Sequence, residues 1–257
     1  MGHTSHRWLL SAALIALGTA FDGAAVTLYW RACDGELLNG SVFSTMQPGM
    51  GFSDSCLVAM DQAAMFPLPE LGDGMTLVAS LGAVAALLLA SAWLVLLPAL
   101  DVPGKAARIA ALPGTLGIAL VVEGVVGSLV PWPDYPDFLF VALAGLLSLS
   151  APFALMALGD AKVTWPVLCG AAVVAFAATA PGFGQQTLDF FVMLSLSDAD
   201  WDKPPGSGYP TVALLAVSAF AIVAIWGLDA VGRRPRLLEQ SLDELPLGRN
   251  GSRRQPG

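Results

Sequence analysis

Residues 75–100 read MTLVASLGAVAALLLASAWLVLLPAL, twenty-six positions without one charged side chain. A helix on the surface of a soluble protein keeps a polar face. This stretch offers only Thr76, Ser80 and Ser91. Nor does it alternate apolar and polar residues, as a strand of a membrane barrel would. At about 1.5 Å per residue it exceeds the ~20 residues needed to cross the hydrocarbon of a bilayer.

Five further apolar stretches flank it, at 8–30, 106–130, 138–158, 163–183 and 211–231. Composition agrees: 56% of the chain is hydrophobic and only 12% charged, against about 25% charge in a soluble domain. The predicted fold is all-α, a polytopic membrane bundle of six transmembrane helices. Residues 1–232 form that domain, with outer loops 31–74 and 184–210. Residues 233–257 form a polar cytoplasmic tail, expected to be partly disordered. Arg233, Arg234, Pro235 and Arg236 are read as stopping the last helix.

Charge sets the orientation. With the N-terminus inside and six crossings, ten basic residues fall on the inner side and two, Arg31 and Lys203, on the outer. This is the positive-inside pattern, and it places both termini in the cytoplasm. The first stretch has a rival reading as a signal peptide, with His3, His6 and Arg7 before the apolar run. That run continues past Gly18-Thr19-Ala20 through Val26 and Leu28, so an uncleaved first helix is expected. The outer segments are strongly acidic, which excludes a nucleic-acid partner and favours cations at the outer face.

Two carboxylates, Asp22 and Glu123, lie well inside spans. Asp22 precedes Trp30 by eight residues and Glu123 precedes Val130 by seven, so both are expected ~11 Å below the outer helix ends. Ser11, Gly18, Asp22 and Ala25 share one stripe. Thr115, Ala119, Glu123 and Gly127 share another. Small residues at this spacing let helices approach closely. The acids are therefore predicted to face protein, because a carboxylate in hydrocarbon costs at least ~2.5 kcal/mol. They can serve as a proton or cation relay, or as protonated hydrogen-bond donors between helices.

Cys33 and Cys56 both fall in the first outer loop, and a disulfide between them is expected in an oxidising compartment. It would close a loop of 22 intervening residues. Residues 54–66 of that loop are read as a short helix ended by Pro67 and Pro69. Residues 188–196, LDFFVMLSL, are too short to span and are read as lying on the interface or capping the bundle. Pro113-Gly114 and Pro152 are placed to kink their helices. Cys169 is read as a small buried apolar residue. Asn39-Gly40-Ser41 is a glycosylation acceptor sequence on the outer side.

Asp198, Asp200 and Asp202 alternate like the opening of a calcium loop. Lys203 stands where that loop needs glycine, and no glutamate closes it, so calcium is only a weak candidate and no other cofactor is expected. Trp8, Trp30, Trp132 and Trp165 lie near span ends and are read as interface anchors, with Trp93 and Trp226 anchoring at the inner ends.

Function is less legible. The only histidines are His3 and His6, so the spans contain no histidine ligand for haem or metal. No nucleophile, metalloprotease or phosphate-loop motif is present. The expectation is a non-catalytic accessory or scaffold subunit of a larger membrane complex. It would dock on a protein partner or a second copy through helix faces and the disulfide-tied outer loop. The alternative is a small proton- or cation-coupled transporter or channel using Asp22 and Glu123. Its place is the plasma membrane or another energy-conserving membrane, with lipid as solvent.

Overall fold

The structure is a computed structural model that describes residues 2–37, 51–62, 76–100, 104–129, 165–179, 183–196 and 204–243. Among these every regular element is helical. They are α1 (Gly2–Tyr29), α2 (Asp54–Gln62), α3 (Thr76–Leu96), α4 (Gly104–Ala110), α5 (Leu112–Leu129), α6 (Trp165–Ala178), α7 (Phe183–Leu196) and α8 (Tyr209–Asp243). Short 3-10 turns, Trp30–Cys33 and Leu97–Ala99, extend α1 and α3. Three stretches are long and apolar enough to cross a membrane: His6–Cys33, Leu77–Ala99 and Tyr209–Gly227. The expected span at 138–158 lies outside the described residues, as do Trp132 and Asn39.

α1 is the hub, packed on α3 and on α8. Ser11 donates a hydrogen bond to the Ala92 carbonyl at 2.9 Å, while Gly18 meets Ala85 and Leu89. Later residues of α1 meet earlier residues of α3, so the two helices are antiparallel. Gly18 is needed for this approach: an added Cβ would stand 2.9 Å from Leu89 Cδ2 and 3.2 Å from the Ala85 carbonyl oxygen. Gly23 faces Val212 and Gly208 faces Val26, which makes α8 antiparallel to α1 as well.

α3 separates α1 from α5. Gly114 sits against Leu94 and Gly117 against Ala90 and the Ala178 carbonyl. Among the described residues the close-packing glycines of α5 are therefore Gly114 and Gly117; of the predicted stripe Thr115 is exposed, and the surroundings of Glu123 and Gly127 lie outside the described residues. The expected kink at Pro113 is a one-residue interruption, at Ala111, between α4 and α5. Proline has no N–H to donate and its ring crowds the preceding turn. The Ala110 carbonyl beside the interruption accepts from the Trp93 indole N–H. In an apolar medium such a carbonyl must find a donor.

α6 runs with α1. Its Gly170 lies under the Trp8 ring and beside Ile225, and Ala178 is reached by Gly117 further along. α7 then continues in the same direction: Asp189 reaches Gly208 and Thr211, and Met193 approaches Gly206. α6 and α7 are thus two halves of one ascent, interrupted after Thr179, where Pro181-Gly182 follows in sequence. About half of the outer loop expected at 184–210 is this second half.

The core between these helices contains Ile15, Leu89, Trp93, Leu96, Val174, Leu215 and Ile222, all closed to solvent. On the outward faces stand large apolar side chains, Leu10, Leu17, Val217 and Phe220 among them, with Phe220 76% exposed. A ring of this kind is costly in water and natural in lipid. Three tryptophans read as lipid-interface anchors are packed inside instead. Trp8 lies on Gly170, Trp93 bonds Ala110, and Trp30 donates to the Ser207 carbonyl at 2.8 Å. Trp165 is exposed, as an anchor would be. α8 does not stop at Arg233–Arg236 but continues to Asp243. Charge ends the apolar span there; the leucines and glutamates beyond Pro235 still favour helix.

Candidate functional site

The polar features of the described residues gather at the end of the bundle that holds the disulfide. Cys33 and Cys56 are bonded, with Cα atoms 4.6 Å apart. The bond ties the turn after α1 to α2, as expected from the two positions. Trp30, Ala59 and Met60 bury it. Glu36 accepts from the Ser53 backbone N–H at 2.8 Å and from its hydroxyl at 3.2 Å, while Ser53 Oγ accepts from Cys56 N–H at 3.4 Å. Ser53 therefore caps α2. Tyr29 donates to the Ala59 carbonyl at 2.6 Å, and Tyr209 to Thr27 at 3.3 Å. Tyr29 thereby stitches the cap to α1, while Tyr209, which ties α8 to α1, packs against the same cluster.

Below this cap, Asp22 is only 7% exposed. Its whole predicted stripe, Ser11, Gly18, Asp22 and Ala25, is buried, so Asp22 faces protein as the spacing required. The Asp189 carboxylate on α7 stands at the same level of the bundle: Gly23, next to Asp22, faces Val212, and the neighbouring Thr211 donates to Asp189. Asp189 takes hydrogen bonds from the Gly208 N–H at 3.0 and 2.9 Å and from the Thr211 N–H at 3.4 Å. Those are free donors at the first turn of α8, where a helix carries partial positive charge.

Gly208 makes the cap possible. Its φ is +100°, a region that favours glycine, and an added Cβ would lie 2.9 Å from Val26 Cγ2. Gly206, at φ +95°, turns the chain just before it. Asp22, by contrast, has no hydrogen-bond partner among the described residues. Among the described residues no basic side chain stands at its level. The nearest bases along its own helix are Arg7 and Arg31, and α3, α6, α7 and residues 209–227 hold no lysine, arginine or histidine.

Asp189 was not singled out by the sequence, where it is one acid inside an apolar run. Glu123 lies on α5, but its side chain is outside the described residues; α5 packs on α3 and α6, with α3 between it and α1. Asp198, Asp200 and Asp202 are also outside them. Among the described residues, no group of three or more histidine, cysteine or acidic side chains is placed to hold a metal ion. No protein-family model, curated protein or solved structure matches the chain.

Proposed function

We propose that this chain is a non-catalytic integral membrane subunit, a helical scaffold that presents a disulfide-tied cap and its helix faces to a protein partner. The observation that carries this reading is how the hydroxyl side chains of the helices, buried and exposed alike, are used. Thr19, Thr27, Ser91, Thr115 and Ser218 each donate to the carbonyl four residues earlier on their own helix, and Ser11 joins α1 to α3. Such bonds close hydroxyls onto the backbone. Beneath Asp22 the core is apolar, with Ile15, Leu89 and Ile222 closed to solvent. The arrangement favours packing over passage.

Helix directions support six crossings with both termini inside. α5 and α6 both point toward the disulfide end, so the 35 residues between them must bring the chain back to the other end. The crossing expected from the apolar stretch 138–158 would do this. The ten-to-two distribution of basic residues then puts the disulfide end outside, where the redox environment permits that bond.

A second reading, a proton- or cation-coupled carrier, is favoured by the Asp22–Asp189 juxtaposition and by the two-part ascent of α6 and α7, a device that transporters use. Flux separates the two. Purified protein in liposomes is expected to pass protons, sodium and potassium no faster than empty liposomes. A flux that Asp22→Asn abolishes would establish the carrier instead. In parallel, native mass spectrometry after mild solubilisation is expected to show one reproducible partner above the 26.6 kDa of the single chain.

A further inference from the structure

Four observations at the disulfide end belong together. Asp22 is buried and without a hydrogen-bond donor among the described residues. Asp189, at the same level because Gly23 packs on Val212 and Thr211 donates to Asp189, is the cap of α8. The chain joining α7 to α8 turns on Gly206 and Gly208, both at positive φ. And α7 is held to the bundle through α8, with Asp189 supplying the polar contact.

We propose that Asp22 and Asp189 form a proton-binding pair that clamps α7 onto the first turn of α8. One proton on the pair leaves a single negative charge, which the Gly208 and Thr211 N–H groups and the positive end of α8 stabilise. Loss of that proton leaves two like charges in a site of low dielectric, and no base among the described residues stands there to neutralise either. α1 is fixed by α3 and α8, whereas α7 is attached through the glycine turn. The repulsion is therefore relieved by α7 moving away, which uncovers the α8 amides.

The other groups facing the pair do not compensate. α3 carries no titratable side chain. On α8 the one titratable group before Gly227 is Tyr209, whose hydroxyl is engaged with Thr27. On α1, Tyr29 is engaged with Ala59. Arg31 is exposed in the turn, nine residues beyond Asp22, or ~13 Å along a helix. α7 carries Asp189 alone. Cys169 of α6 is one residue from Gly170, at the Trp8 end. The proposal is independent of the scaffold reading, since a clamp of this kind can serve a subunit or a carrier.

Hydrogen exchange in lipid nanodiscs tests it, with protection of residues 204–212 corrected for the intrinsic pH dependence of exchange. Between about pH 5 and about pH 9, wild-type protection is expected to fall about tenfold or more, the effect of one pKa unit of coupling. In Asp22→Asn it should stay flat. Asp189→Asn keeps an acceptor for Gly208 but removes the charge, and it should be flat too, which covers the case in which the first variant fails to fold. Residues 51–62 serve as the internal control. The same pH profile in wild type and either variant would overturn the pair. So would protection that follows sodium concentration at fixed pH, which would make the bound charge a metal cation.

Discussion

Asp189 reaches from α7 to Gly208 at the start of α8, with both carboxylate oxygens within 3.0 Å of the same backbone nitrogen. The two residues are nineteen positions apart, and the contact closes the second half of the α6–α7 ascent against the bundle.

Removing that cap has a defined cost. Asp189→Ala is expected to lower stability by about 1–2 kcal/mol, the usual effect of losing an N-cap. Asp189→Asn should lose less, because its amide oxygen still accepts. Thermal unfolding in detergent, read by circular dichroism, gives the order. An asparagine variant as damaged as the alanine variant would refute the capping role.

The disulfide closes the loop between α1 and α2 across a sequence separation of 23. Replacing both cysteines by serine is expected to cost about 3 kcal/mol in the chain-entropy account. Trp30 packs in the same cluster, so its fluorescence should shift at lower denaturant in the double variant. Unchanged midpoints would mean that the cap is held by Trp30, Tyr29 and Tyr209 without the bond.

Trp93 and Ala110 offer a test at the opposite end. Trp93→Phe keeps an aromatic ring in a site closed to solvent but leaves the Ala110 carbonyl beside the interruption at Ala111 without its donor. The expected loss is about 1–3 kcal/mol, the cost of a buried unsatisfied group. Chemical denaturation of the variant in detergent measures it, and an unchanged midpoint would contradict the role of this bond.

Two glycines of α1 should respond oppositely. At Gly18 a methyl group meets Leu89 and the Ala85 backbone, and the backbone cannot yield, so Gly18→Ala should cost about 1–3 kcal/mol. At Gly23 the nearest atom is Val212 Cγ1 at 3.4 Å. Gly23→Ala should be neutral or stabilising by up to about 1 kcal/mol through helix propensity. Equal effects would contradict the packing of α1 on α3.

Much of this architecture is legible in the sequence. Apolar runs such as 75–100 need no partner to declare themselves, because lipid as a solvent imposes a length and forbids charge. The stripe through Ser11, Gly18, Asp22 and Ala25 gave the inward direction of Asp22, and two cysteines in one outer loop gave the disulfide. What escaped is what depends on a second segment. Asp189 is invisible as a cap until Gly208 is brought to it, nineteen residues later. The apolar stretch 163–183 reads as one complete span, yet α6 ends at Ala178 and the chain resumes its climb as α7. Trp8, Trp30 and Trp93 look like belt residues because their positions near span ends are visible, while the glycine and carbonyls that receive them are not. Arg233–Arg236 marks where the apolar span ends, but helix propensity is a different property and continues through it.

Every one of these inferences takes lipid, and not water, as the medium around Leu10, Leu17, Val217 and Phe220. Sedimentation of the purified chain, in nanodiscs and after detergent removal into plain buffer, addresses that directly. The account expects a folded protein in the first case and aggregation in the second. A monodisperse, folded monomer in plain buffer would contradict it.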